Sequence, residues 1–144
     1  PTTGVDVVSR REFWEMLKKL KAQGITILAS TPYMDEATLC DRIALIQDGE
    51  FMQIDSPANI IAGYPETLWL VQTRQRHRLL KDLRSFSSVK SSFSFGETFH
   101  VTFENQDSVE DLRRFLTNEG HSDIEIQTIQ PTVEDCFMLL SKKS

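Results

Sequence analysis

Cysteine, glycine, proline and histidine are all scarce in this 144-residue sequence, and each scarcity excludes something. There are two cysteines, Cys40 and Cys136, far apart and in no C-x-x-C pair. They form no disulfide framework or zinc-binding pattern and read as buried, reduced thiols of a cytosolic protein. The three histidines, His77, His100 and His121, lack ligand-like spacing. Six glycines and five prolines form no low-complexity tract, and no internal repeat is visible. None of those glycines stands in a G-x-x-x-x-G-K-[ST] loop, so the backbone cradle that would hold nucleotide phosphates is missing. No apolar run approaches the roughly 20 residues needed to cross a bilayer. The first ten residues, with Asp6 and Arg10, do not read as a signal peptide. Position 1 is Pro rather than Met, and the opening is expected to lie inside a longer protein.

Hydrophobic residues make up 40% of the chain and charged residues 26%, the profile of a globular protein. The formal net charge is −5, which argues against a dedicated nucleic-acid binder, whose phosphate contacts need clustered Lys and Arg.

In the first 65 residues helices and strands alternate. Asp6 is placed to cap a helix from about Val7 to Ala22. Phe13, Leu17 and Leu20 recur along one face of it, with Trp14 beside them, and Gly24 follows as a stop signal. The run Ile25–Ser30 predicts a strand buried on both faces, as in a parallel sheet. A short helix over Tyr33–Cys40 follows. Arg42–Gln47, the turn Asp48-Gly49 and Phe51–Ile54 predict a hairpin. Ser56-Pro57 opens a further helix through Ile61.

The pattern changes near residues 62–66. Strand-like Glu66–Thr73 is followed by a basic amphipathic helix over 76–85, alternating strands Val89–Phe95 and Thr98–Glu104, and a helix capped by Asp107-Ser108 and closed by Gly120. A last strand carries Ile124 and Ile126, and a terminal helix runs from Pro131 to Leu140. Strand, helix, strand, strand, helix, strand is the ferredoxin-like βαββαβ order. The expected fold is thus an α/β segment over residues 1–65 and an α+β ferredoxin-like domain with a terminal helix over 66–144.

Three stretches of the first segment, in order and spacing, resemble the end of an ABC ATPase nucleotide-binding domain. Pro1-Thr2-Thr3-Gly4-Val5-Asp6 looks like the D-loop segment, and Ser30-Thr31-Pro32-Tyr33-Met34-Asp35-Glu36-Ala37 like the H-loop and its helix. Cys40-Asp41-Arg42-Ile43-Ala44-Leu45-Ile46 with Asp48-Gly49 looks like the strand pair that follows. Pro131-Thr132-Val133-Glu134-Asp135-Cys136-Phe137 is similar to the Pro-Ser/Thr-Leu-Glu-Asp-x-Phe sequence closing ATPase subunits of drug- and antibiotic-efflux exporters. The resemblance implies a C-terminal fragment of such a subunit. In the parent it implies ATP and Mg²⁺, a second nucleotide-binding domain as homo- or heterodimer partner, membrane-spanning permease subunits, and a place on the cytoplasmic face of the membrane.

The resemblance also assigns site residues. Thr3, Gly4, Val5 and Asp6 would form the D-loop at the dimer interface, with Asp6 shaping the opposing site as well as capping its own helix. Thr31 and Pro32 would form the H-loop. That loop usually carries His where Pro32 stands, and proline has neither a donor nor a titratable nitrogen. The sequence also lacks Walker A, Walker B and the signature sequence. No residue of the isolated chain is therefore expected to be catalytic, and no metal or other cofactor is expected to bind it.

Blander readings stand beside these. Adjacent Asp35 and Glu36 diverge by about 100° on a helix and read as first-turn charge rather than a catalytic pair. Arg74, Arg76, His77, Arg78, Lys81 and Arg84, with the aromatic strands, invite an RNA-recognition reading. Residues 66–144 nevertheless hold 10 Lys and Arg against 12 Asp and Glu, so the aromatics read as core and no nucleic-acid partner is expected. The second domain also suits a non-enzymatic regulatory or dimerisation module, with an exposed sheet face or edge as its interface. The missing phosphate loop generates one expected outcome. Calorimetric titration of the isolated chain with Mg-ATP gives no micromolar binding; micromolar binding contradicts the reading.

Overall fold

Apolar residues three and four apart give the first element, helix α1 (Val7–Ala22), whose Trp14 is buried while Phe13, Leu17 and Leu20 are half-buried. Asp6 caps it as expected, accepting from the N–H groups of Val8 and Ser9 at 3.0 Å each. The computed structural model describes residues 2–105 and 108–142. It divides into two units, Pro1–Ala62 with Cys136–Ser144, and Gly63–Asp135.

After α1 the first unit contains helix α2 (Met34–Ala37), strands β1 (Ile43–Gln47) and β2 (Glu50–Asp55), and helix α3 (Pro57–Ala62). β1 and β2 form an antiparallel hairpin in which Gln47 opposes Glu50. The two-residue connection needs positive φ at both positions, and Asp48 (52°) and Gly49 (82°) supply it. Ser56 caps α3 through the Asn59 N–H at 3.2 Å. Buried Ile60 accepts at its carbonyl from the Cys136 thiol at 3.5 Å.

The predicted buried strand over residues 25–30 is absent. These residues belong to no strand and are all exposed, with Leu28 at 99%. A strand is stable only when its N–H and C=O groups find partners. Among the described residues of this unit, β1 and β2 pair with each other and nothing pairs with 25–30. The parallel sheet expected for this part is replaced by a two-stranded antiparallel hairpin.

The second unit runs β3 (Leu68–Gln72), α4 (Arg76–Ser85), β4 (Val89–Phe95), β5 (Thr98–Phe103), α5 (Val109–Asn118) and β6 (Glu125–Ile129). Helix α6 (Val133–Ser141) starts in this unit and continues among the residues grouped with the first. The strands form one antiparallel sheet, ordered β4-β5-β3-β6. Because side chains alternate along a strand, Val71, Phe99, Val101 and Phe103 share one face. They close a core with Leu79 and Leu83 of α4 and Leu112 and Leu116 of α5. Phe99 and Phe103 are thus core residues, as their pattern suggested.

The opposite sheet face is less open than expected. Leu68, His100 and Thr102 lie on it and are buried. His100 Nδ1 meets Asp135 Oδ1 at 2.6 Å and stacks on Phe95 at 4.0 Å. Asp135 also accepts from the backbone and hydroxyl of Thr132, a reciprocal cap for the start of α6. Burial raises its pKa, and the His100 and Thr132 hydrogen bonds outweigh that and lower it. Of the cap predicted for α5, Asp107 lies outside the described residues and Ser108 makes no side-chain cap bond.

Leu112 is fully buried in this core. Leu112→Ala is expected to cost about 2–5 kcal/mol through lost burial and a residual cavity. Urea unfolding followed by Trp69 fluorescence in a Trp14→Phe background measures it; a loss under about 1 kcal/mol contradicts this packing.

Candidate functional site

The site residues expected from the sequence lie in two loops of the first unit, and Glu36, expected only as first-turn charge, joins them. Thr2 to Val5 form a turn closed by the Val5 N–H donating to the Thr2 carbonyl at 3.1 Å. Gly4 takes φ +74°, a region that disfavours any side chain. Thr3, Gly4, Val5 and Asp6 are exposed. Hydrogen bonds from the backbone and hydroxyl of Ser9 hold the Asp6 pKa below its ordinary value.

The second loop is Thr31–Tyr33. The Thr31 hydroxyl donates to Glu36 Oε2 at 2.5 Å and accepts from the Tyr33 N–H at 3.1 Å. Pro32, between them, is exposed. It offers no hydrogen-bond donor and no proton-transfer group to anything placed against it. The Arg10 guanidinium lies 4.7 Å from the centre of the Tyr33 ring.

Glu36 is the centre of the arrangement. Its side chain is 3% exposed, against 76% for Asp35 next to it. The divergence expected of adjacent helical residues is therefore real, but only Asp35 behaves as solvated first-turn charge. Glu36 Oε1 accepts from the Thr2 hydroxyl and from Nε and Nη2 of Arg10, both at 3.1 Å, while Oε2 accepts from Thr31. Burial pushes the carboxyl pKa up, and the hydrogen bonds from Thr2, Thr31 and Arg10 overcome that to lower it from 4.5 to about 2. The signal for this role was present: Glu36, Ala37 and Cys40 share the inward side of the short helical segment. Burial, with Asp41 and Glu36 nearby, raises the Cys40 thiol pKa.

The basic cluster of the second unit is partly committed internally. Arg78 donates to the Glu119 carbonyl at 2.6 Å, and Arg76 engages the Gly96 carbonyl and Glu97. Arg74, Arg76 and His77 border a shallow cleft of about 470 Å³ floored by Leu80 and Phe99. His121 is enclosed, its ring bridging Thr73 at 2.9 Å and Asp82 at 2.8 Å. Among the described residues no group of three or more His, Cys, Asp or Glu side chains is placed to hold a metal ion. No helix of these residues is long and apolar enough to cross a membrane.

The Glu36 pKa fixes a pH window. The folded value of about 2 lies below the ordinary 4.5, so the carboxylate's stabilisation is complete above 4.5 and is lost as pH falls from 4.5 through about 2. Glu36→Gln does not titrate there. It should be less stable at neutral pH and lose less on acidification than the parent sequence. Thermal unfolding followed by Trp14 fluorescence in a Trp69→Phe background across that window checks this, and an equal acid-induced loss in both proteins contradicts it.

No protein-family model matches the chain. Individual relatives do. The probable multidrug ABC transporter ATP-binding protein YbhF of Escherichia coli is 28% identical over 140 residues, covering 96% of this chain and 24% of that protein. The daunorubicin resistance ATP-binding protein DrrA2 of Streptomyces coeruleorubidus is 28% identical over 147 residues, covering 98% of the chain and 46% of that protein. The Nod factor export ATP-binding protein I of Paraburkholderia xenovorans is 43% identical over 64 residues, 44% of the chain and 21% of that protein. The chain thus spans less than half the length of these relatives. Over most of its length, the chain is a homologue of ABC transporter ATP-binding proteins.

Proposed function

We propose that the chain supplies the C-terminal part of an ATP-binding subunit that couples ATP binding and hydrolysis to export across a membrane. The observation that carries this reading is the extent of the relationship: nearly the whole chain aligns with exporter ATP-binding proteins two to four times its length. The exposed run Ile25–Leu28 supports it, because an unpaired apolar segment is what remains when neighbouring strands are supplied by other residues.

In this reading residues 1–65 close the ATPase core, with Thr3, Gly4, Val5 and Asp6 as D-loop and Thr31 and Pro32 as a degenerate H-loop. Residues 66–144 are the appendix. The observed order β3, α4, β4, β5, α5, β6 and the antiparallel sheet β4-β5-β3-β6 support a ferredoxin-like assignment for it. ATP and Mg²⁺ belong to the longer protein, where phosphate-binding and acidic residues outside this chain would hold them. The partners are a second nucleotide-binding domain and membrane-spanning permease subunits, which place the assembly on the cytoplasmic face. The isolated chain neither binds ATP tightly nor hydrolyses it.

Phosphoryl transfer depends on positioned charge and an oriented nucleophile. Pro32 supplies neither, so the site it borders binds ATP and hydrolyses it slowly, with faster turnover in the partner domain. One lost electrostatic contact of this kind costs about 3–4 kcal/mol of transition-state stabilisation. Pro32→His in the longer protein is expected to raise single-turnover hydrolysis at this site by about a hundredfold to a thousandfold. An unchanged rate with ATP bound contradicts the degenerate-site reading.

A second reading has the appendix, residues 66–144, as a regulatory or dimerisation module. The observation favouring it is that the 63–135 unit has a closed core of its own. Deleting residues 66–144 from the longer protein separates the two. Lost dimerisation or altered ATPase rate supports regulation, and neither change leaves the appendix without such a role.

A further inference from the structure

We propose that Glu36 is a positioning residue that couples the Thr2–Asp6 turn to the Thr31–Tyr33 loop, so that a shift in one is transmitted to the other. It deepens the nucleotide-site reading, on which only its catalytic consequence rests.

An ionised carboxylate offers about four lone-pair sites on its two oxygens. Glu36 receives four donated hydrogen bonds: on Oε1 one from Thr2 and two from Arg10, and on Oε2 one from Thr31. They arrive from three stretches separated in sequence by 26 to 34 residues on one side and 5 on the other. With the side chain 3% exposed, water is not at hand to replace a lost donor.

The attachment points are those that shape each loop. Thr2 also provides the carbonyl that closes the turn onto Val5, immediately before the capping Asp6. Thr31 also accepts the Tyr33 N–H, so its hydroxyl sets the backbone on either side of Pro32. The two threonines hold different oxygens of one rigid, planar group, and both Arg10 donors anchor Oε1, the oxygen that Thr2 also holds. Movement of either loop displaces the carboxylate, and the carboxylate displaces the other loop. Proline at position 32 does not interrupt this path, because the path runs through the Thr31 side chain. A site without an H-loop histidine thus retains a mechanical link between its two loops.

The coupling is tested in the 144-residue chain itself by amide chemical shifts. Thr31→Val keeps the shape of the side chain and removes the hydroxyl. It should shift the Val5 and Asp6 amides, and Thr2→Val should shift the Tyr33 amide. In a Glu36→Gln background both distant effects should shrink at least severalfold. Shifts confined to the mutated loop, or equally large without the carboxylate, overturn the proposal. Should Glu36→Gln fail to fold, the Thr2→Val/Thr31→Val double variant decides. Shifts smaller than the sum of the two single variants support a shared relay, and strictly additive shifts overturn it.

The catalytic consequence is read separately in the longer protein. Thr2→Val is expected to lower single-turnover hydrolysis at this site about tenfold with ATP affinity unchanged, whereas a purely structural loss lowers the fraction of sites that bind ATP and leaves the rate per occupied site intact. An unchanged single-turnover rate overturns the positioning role. A longer protein that does not bind ATP at all overturns the nucleotide-site reading and leaves the chemical-shift result standing.

Discussion

A buried carboxylate must be paired or it is not kept, and the first unit is organised around satisfying Glu36. Taking an ionised group out of water costs several kcal/mol unless hydrogen bonds replace its hydration. Here Thr2, Arg10 and Thr31 do so. Those three donors come from the opening turn, helix α1 and the loop before α2, so meeting one electrostatic demand fixes the relative placement of three segments. Apolar burial contributes less in this unit. Its described residues expose eleven large hydrophobic side chains, all between positions 5 and 54, whereas the described residues of 63–135 expose none of that class.

The second unit has the opposite economy. Each of its four strands has a partner, Leu79, Leu83, Leu112 and Leu116 of α4 and α5 are fully buried, and buried Thr73, His100, His121 and Asp135 are hydrogen-bonded in pairs. His121 bridges Thr73 and Asp82, and Asp135 joins His100 to the capped start of α6. The Thr132–Asp135 stretch of the closing motif, noticed in the sequence only as a family resemblance, thereby acquires a local physical reason. Its Thr and Asp cap each other, and the same Asp pins the cap to the sheet.

What was legible in the sequence follows this division. The period-two and period-3.6 patterns of residues 68–129 were readable because the unit satisfies itself, and the Asp48-Gly49 turn was readable because its backbone demands those residue types. Residues 25–30 were misread for an equally physical reason. Hydrophobic pattern reports what a segment is suited to bury, not whether a partner is present to bury it. Glu36 was missed because an acidic residue beside another on a short helix normally faces water. Its meaning lies in Thr2 and Arg10, 34 and 26 residues away. The loops resembling D- and H-loops were found from their residue types, but the bond that joins them was not in any one motif.

The second unit of this chain closes its own core, whereas the first leaves the apolar run Ile25–Leu28 exposed and in no strand. Native-state amide hydrogen exchange on the 144-residue chain tests this contrast most directly. The account predicts strong protection across Leu68–Gln72 and Thr98–Phe103 and near-intrinsic exchange across Ile25–Ser30. Protection of residues 25–30 equal to that of the central strands, in a monomer, would contradict it.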